Sequence, residues 1–348
     1  MAEMRCRLAQ SMKETTMSIQ LSRRRLLQAA CGAVPAMLAP SWLRADAPYP
    51  SKPIVVKVAF PAGGPADESI RAAAVVMKRS LGQNVIADNL PGASGSICAM
   101  NVLRSASDGY TLLGTTGIDF LVAPLTIASA RYSPEKFRLA GFSGISDFIL
   151  VSNPSLSFRN VDEVIAYAKD PKNRPLSLAH WGPGSAPHLV GADFQARTGV
   201  RFLEVPYKGA APVTSDIAGS QVDLTFMPMG GPTYGMIKAG RFKPIAVASK
   251  ARHPSLPDVP ALSERKDLAD FEYSQWAGVL APPNTPDPVM ARVVEAMNAW
   301  VASPENRTRR TVNLQRAIEP MTVAQAQAFL NSEHAKLIRI ARSLKLAG

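Results

Sequence analysis

Ile54-Val55-Val56-Lys57-Val58-Ala59-Phe60 runs straight into Pro61-Ala62-Gly63-Gly64-Pro65-Ala66-Asp67, and the residues beyond carry Ile70, Ala73, Ala74, Met77 and Leu81 at helical spacing. An apolar run of strand length therefore passes through a glycine turn into an amphipathic helix. Such a turn offers bare backbone N–H groups and the positive end of a helix dipole to whatever lies above the strand. This is an anion site in outline, although a double glycine after a strand also closes ordinary tight turns. The loop has neither the P-loop lysine nor GxGxxG spacing, which disfavours a nucleotide phosphate.

Working outward, the same rhythm repeats. Strand-like runs at 84–87 and 111–113 alternate with helix-like stretches at 68–81 and 96–105, as in a parallel sheet with covering helices. A second series starts near 148–151 and continues through a helix at 161–168, a strand at 176–179, a helix at 188–198 closed by Gly199, a strand at 202–205, a short helix at 213–218 and a strand at 245–248. Helices are expected again at 289–301 and 323–344, beyond the proline-rich segment 282–288. The fold class is α/β. About 300 residues beyond the N-terminal segment exceed a comfortable single core and point to two domains.

Three further turns repeat the chemistry of the first. Asn89-Leu90-Pro91-Gly92-Ala93-Ser94-Gly95 leads into a helix, Gly114-Thr115-Thr116-Gly117 offers two hydroxyls after a strand, and Gly182-Pro183-Gly184-Ser185-Ala186-Pro187-His188 opens a helix with Ser185 as its expected N-cap. Val205-Pro206-Tyr207-Lys208-Gly209 leaves a strand with a phenol and an ammonium side by side. Each alone is explained by turn chemistry; together, after strands in both halves, they fit a ligand held where strand ends converge on a cleft between domains.

The N-terminus reads as an export leader. Ser22-Arg23-Arg24-Arg25-Leu26-Leu27 opens an apolar segment reaching Leu43, and Ala45-Asp46-Ala47 supplies small residues for cleavage near Ala47, a twin-arginine pattern. A membrane span needs about 20 apolar residues, and this stretch is interrupted by Gln28, Gly32, Pro35, Pro40 and Ser41. Met17 is an alternative start, and Cys31 lacks the apolar residue three positions earlier that a lipoprotein site requires, Gln28 standing there. The expected location is the periplasm. The leader holds seven of the 39 Lys and Arg and three of the 27 acidic residues, which leaves a net charge of +8 on the rest. That excess is spread without long runs or nucleic-acid-binding motifs, so nucleic acid is not an expected partner. Of the three cysteines only Cys98 lies outside the leader, which excludes an internal disulfide and a cysteine metal site in the processed chain.

Tyr49-Pro50-Ser51-Lys52-Pro53-Ile54, the Phe60–Asp67 loop, Asn89–Gly95, Asp108-Gly109-Tyr110-Thr111-Leu112-Leu113, Val205–Gly209 and Gly219-Ser220-Gln221-Val222-Asp223-Leu224 follow in the order and spacing of one family. Lys238-Ala239-Gly240-Arg241, Leu256-Pro257-Asp258-Val259-Pro260 and Trp276-Ala277-Gly278-Val279-Leu280-Ala281-Pro282 extend the match. Over 49–348 the chain resembles the tripartite tricarboxylate transporter substrate-binding receptors, the Bug family. The resemblance implies a type II-like periplasmic binding protein whose two α/β domains are joined by crossing hinge strands and close on an organic acid. It implies domain 1 from 48–151 plus 273–348, domain 2 from 152–272, and 1–47 as the signal peptide. It also implies a ligand carboxylate held by backbone amides and hydroxyls at Phe60, Ala62, Gly63, Gly64 and Asp67, then at Thr115, Thr116, Gly184, Ser185 and Tyr207.

The sequence departs from the family at His180-Trp181, where small residues are usual, and at Leu90 and Cys98. His180 and Trp181 therefore join the ligand-binding residues as a bulkier, partly aromatic wall, and an acid with an aromatic or bulky apolar body is expected. No GxSxG elbow, HExxH helix or other nucleophile–base motif unites His180, His188, Asp67 and Cys98, so no catalytic residue, metal or cofactor is assigned. Asp162-Glu163 suits a helix N-terminus. The expected partners are the small organic carboxylate and the membrane subunits of a transporter, or alternatively a sensor kinase, with the receptor itself a monomer.

Overall fold

In the computed structural model, residues 48–344 are described; the expected twin-arginine leader and cleavage site lie outside them. β1 (Ile54–Val58) alternates buried Ile54, Val56 and Val58 with half-exposed neighbours. It lies between β2 (Val85–Asn89) and β3 (Thr111–Thr116), parallel to both. α1 (Pro65–Leu81) follows β1, α2 (Ser96–Leu103) follows β2 and α3 (Gly117–Thr126) follows β3. This half is built from strand–turn–helix units, so its turns collect at one edge, beyond the carboxyl ends of the parallel strands.

The second half repeats the plan. β5 (Ser177–His180) runs parallel to β6 (Leu203–Pro206) and to β7 (Leu224–Pro228), with α4 (Val161–Lys169), α5 (Ala186–Thr198) and α6 (Ala210–Ala218) between strands. Two antiparallel strands connect the halves. β4 (Arg138–Ser152) pairs with β9 (Ser274–Ala281) as far as Asp147, then with β7 and β8 (Lys243–Val247) from Phe148 onward. The order β2-β1-β3-β9-β4-β7-β5-β6, with β8 also on β4, is a two-lobed mixed α/β sheet. Arg316 ties the crossing point, pairing with Asp147 of β4 and, at 3.2 Å, with Glu272 just before β9.

α7 (Gly231–Lys238), α8 (Asp287–Ala302), α9 (Pro304–Asn313) and α10 (Val323–Ser343) complete the chain. α8 returns to the first lobe, burying Met290, Val293, Met297 and Trp300, whose Nε1–H donates to Ser143 O at 3.1 Å. One apolar cluster runs through the first lobe and the crossing strands into the second, and a smaller one, including Val213, Met227 and Met229, lies in the second. Among the described residues no helix is long and apolar enough to cross a membrane.

Candidate functional site

The first glycine turn is held from beneath by its own helix. Asp67 is 2% exposed; its Oδ2 accepts the Gly63 N–H at 2.9 Å and Arg71 Nε at 2.8 Å, and its Oδ1 accepts Asn89 Nδ2 at 2.8 Å. Asn89 also donates to Phe60 O at 2.9 Å and accepts Arg71 Nη2 at 2.7 Å. Burial pushes the Asp67 carboxyl up, but Arg71, the Gly63 amide and Asn89 together hold it below the usual carboxylate range. The Asp67 carboxylate thus braces the loop, and the Gly63 N–H is already engaged. Pro61, Ala62 and Gly63 are exposed, with Phe60 and Gly64 half-buried. Pro65 opens α1 and has no N–H, so Ala66 and Asp67 carry the first amides without an intrahelical partner.

At the end of β3 the two threonines separate. Thr116 Oγ1 donates to Asp119 Oδ2 at 2.8 Å, so its hydroxyl is committed within the protein. Thr115 Oγ1 is buried without a partner among the described residues, as is Ser96 Oγ at the start of α2. These elements converge: a Cβ placed on Gly95 would lie 3.1 Å from Ala59 Cβ, 3.5 Å from Thr115 Oγ1 and 3.8 Å from Phe60 Cζ. Gly95 has φ +84°, so glycine suits both the backbone and the close approach.

The turn after β5 looks equivalent in sequence but has another environment. Ser185 occupies the N-cap position of α5 without capping it; its hydroxyl donates backward to Gly182 O at 2.7 Å. The first amide of α5, Ala186 N–H, instead donates at 3.2 Å to Asp119 Oδ1 of α3 in the other lobe. The two lobes also meet at Gly184, where an added Cβ would stand 2.1 Å from Thr126 Oγ1. Gly184 and Ser185 are both buried.

Three more expected ligand contacts point into the second lobe. His180 is 3% exposed, its Nδ1 lies 3.0 Å from Gly182 O, and its ring packs on His188 with centroids 4.6 Å apart. Burial lowers the pKa of both imidazoles; proximity to His188 lowers that of His180 further, whereas Glu204 opposes the fall at His188. Trp181 is half-buried against the smaller apolar cluster. The Tyr207 phenol donates to Asp216 Oδ2 at 2.6 Å, and burial, reinforced by that carboxylate, pushes its pKa up to about 12. The wall expected from His180-Trp181 therefore has its histidine buried and only its indole half-exposed.

His180, His188 and Glu204 bring ligand atoms within 4.8 Å of one another, a set that could hold a metal ion. The Gly184 N–H donates to His188 Nδ1 at 3.1 Å, which places the neutral ring's proton on Nε2, 3.6 Å from Glu204. Coordination through Nε2 would require that arrangement to break. Cys98 is buried and its thiol pushed up to about 12 by that burial, an inert thiol. Two surface depressions, one including Lys136, Arg138 and Asp287 and the other Arg197, Tyr273 and Lys336, include none of the glycine turns.

Residues 69–346 match the tripartite tricarboxylate transporter family receptors. The chain belongs to that family. The periplasmic binding protein BugD is 32% identical, with a TM-score of 0.74 over 86% of this chain and 99% of its own. The Rhodopseudomonas palustris protein MatC, solved with bound malate, is 25% identical, with a TM-score of 0.75 over 84% of this chain and 99% of its own. A second R. palustris protein, solved with adipate, is 27% identical, with a TM-score of 0.76 over 86% and 99%. All three share the two-lobed architecture described above.

Sequence reasoning did not single out Asp119, Gln275 or Thr126. Only Gly117 of this stretch is expected, as the end of a turn, and 118–126 receive no assignment from the sequence; Gly117–Thr126 is a helix with Pro124 inside it. The signal was present: Gly117 allows the Trp276 ring to approach, where a Cβ would lie 2.2 Å from the indole, and the following apolar run is of helical length.

Proposed function

We propose that the protein is an extracytoplasmic receptor that captures a small organic carboxylate between its lobes and delivers it to a tripartite tricarboxylate-type transporter. The observation carrying this reading is the buried Thr115 hydroxyl, unpartnered among the described residues and lying beside Gly95, where Phe60 of the first glycine turn also converges. A native protein rarely leaves such a donor unsatisfied; an incoming carboxylate oxygen would satisfy it. The first amides of α1 add two donors and a dipole suited to the same charge. Charged hydrogen bonds contribute about 1.5–3 kcal/mol each, enough in combination to reach the roughly 8 kcal/mol of a micromolar complex once association costs are met. Malate and adipate bound to the two R. palustris relatives fit this ligand class. The signal peptide, and domains of 48–151 with 273–348 and 152–272, belong to the same proposal; the change of strand partner between Asp147 and Phe148 supports a hinge there.

Thr115→Val tests it because the swap keeps the shape and removes the hydroxyl. Calorimetric titration with hexanoate, benzoate, malate and adipate should show binding of at least one acid, weakened about tenfold or more in the variant, with unchanged melting of the ligand-free protein. Binding of hexanamide or benzamide in preference to every acid would overturn the carboxylate reading.

A further inference from the structure

Asp119 is a carboxylate placed where two helix starts meet. It lies in the first turn of α3, is 3% exposed, and its Oδ1 caps Ala186 at the start of α5 across the lobes. Oδ2 accepts Thr116 Oγ1 at 2.8 Å and Gln275 Nε2 at 2.6 Å. Gln275 is oriented in turn, its Oε1 accepting the Ile118 N–H at 3.4 Å. These partners are neutral, so the carboxyl is served by hydrogen bonds and the positive ends of α3 and α5 rather than by a counter-cation.

The start of α5 has little left to offer an anion. Its second residue, Pro187, carries no N–H, Ala186 N–H is taken by Asp119, and Leu189 N–H already bonds Ser185 O at 3.0 Å, which leaves the His188 N–H. A ligand carboxylate arriving from the first lobe would meet another carboxyl there, and two carboxyl groups sharing one site oppose each other's ionisation.

Resting on the carboxylate reading above, we propose that Asp119 is a specificity-determining residue: it fills the second lobe's anion position from within, so the receptor selects organic acids with one carboxylate and a neutral or hydrogen-bond-donating far end over dicarboxylates of matched length. The single ligand carboxylate is left to the first-lobe turn and Thr115. This sets the chain apart from the relatives solved with malate and adipate.

The test is a matched series titrated into the purified protein: hexanoate, 6-hydroxyhexanoate and adipate, then benzoate, 4-hydroxybenzoate and terephthalate. The wild type should bind the better monocarboxylate of each binding series at least about tenfold more tightly than its dicarboxylate. Asp119→Ser, which shortens the side chain and frees Ala186 N–H, should reduce that ratio about tenfold, and Asp119→Asn should reduce it less because its amide oxygen can still cap α5. A dicarboxylate preference in the wild type, or a ratio unchanged in the serine variant, overturns the assignment of Asp119 while leaving the carboxylate reading intact. If the serine variant does not fold, the wild-type ranking and the asparagine variant decide. Binding of none of these six acids nor of malate overturns the carboxylate reading itself, and this inference with it.

Discussion

The turns Phe60–Asp67 and Gly182–His188 are nearly the same motif, and the protein uses them differently. Each leaves a parallel strand, passes through glycine and opens a helix with proline in its first turn. The first is braced from behind by Asp67, Arg71 and Asn89 and turns exposed backbone outward. The second is buried from Gly184 to Pro187, and its leading amide is held by a carboxylate from the opposite lobe. A local motif determines where a helix begins; what faces that helix depends on contacts far away in the chain, here 67 residues away.

The sharpest way to break this contrast is at Gly184. Its φ of +74° and the 2.1 Å approach to Thr126 make Gly184→Ala doubly unfavourable. Left-handed backbone costs about 1–2 kcal/mol for a residue with a Cβ, and overpacking about 1–3 kcal/mol more. Thermal unfolding should show the largest loss of any variant considered. Combination with Thr126→Gly should recover the packing part alone, and full recovery would show that backbone strain at Gly184 is negligible. Gly63→Ala shares the positive φ, +77°, but meets nothing within 4 Å, so its loss should be limited to the backbone contribution.

Asp67→Ala comes next. It removes acceptors for Gly63, Arg71 and Asn89 and should cost about 1–3 kcal/mol, discounted because Arg71 is about half exposed. The bracing depends on the ionised carboxylate, whose pKa is held below its unfolded value. The stability it provides is therefore full above the unfolded value, about 3.9, and is lost as pH falls through the lower folded value. Melting curves of wild type and variant should accordingly converge in strong acid. A gap that does not narrow there would mean that the loop is held by something other than this charge.

The fold was legible in the sequence because its parallel units are local: alternation in Ile54–Val58 and the helical stripe through Ile70, Ala73 and Met77 are set by neighbours in the chain. The crossing strands were less so. Only 148–151 of the 15-residue β4 was expected, because Arg138–Ser152 is buried along most of its length and shows little alternation. In the site, the glycine turns and Thr115 were readable as residue types, but hydroxyl commitment was not. Thr115 and Thr116 are adjacent and chemically identical, and only the fold determines that Thr116 reaches Asp119 while Thr115 reaches no group among the described residues. Ser185 followed the statistics of N-caps, but Asp119 from the other lobe replaced it.

A smaller effect sharpens the same comparison through pH. Burial raises the Asp119 carboxyl above its ordinary value despite the donors around it. Ionising it in the folded protein carries a penalty that is absent below the unfolded value of about 3.9 and grows as pH rises toward the folded value. Asp119→Asn cannot ionise, so its melting temperature relative to wild type should be higher at pH 7 than at pH 4. This is opposite in sign to the trend for Asp67, whose contribution strengthens as pH rises. Equal differences at both pH values would show that Asp119 carries the same charge throughout that range.

The smallest effect is expected at Tyr207. Its hydroxyl was expected to meet the ligand, but it donates to Asp216 of α6 at 2.6 Å within the second lobe. Tyr207→Phe removes one partly buried hydrogen bond, worth about 0.5–1.5 kcal/mol, and leaves the ring against the smaller apolar cluster. Melting should fall slightly, while the order of preference among hexanoate, benzoate and adipate stays as in wild type. Thr115→Val should do the reverse, changing affinity and sparing stability. If Tyr207→Phe instead weakens acid binding about tenfold with no change in melting, the phenol turns away from Asp216 when ligand arrives, and the second lobe contributes a hydroxyl after all.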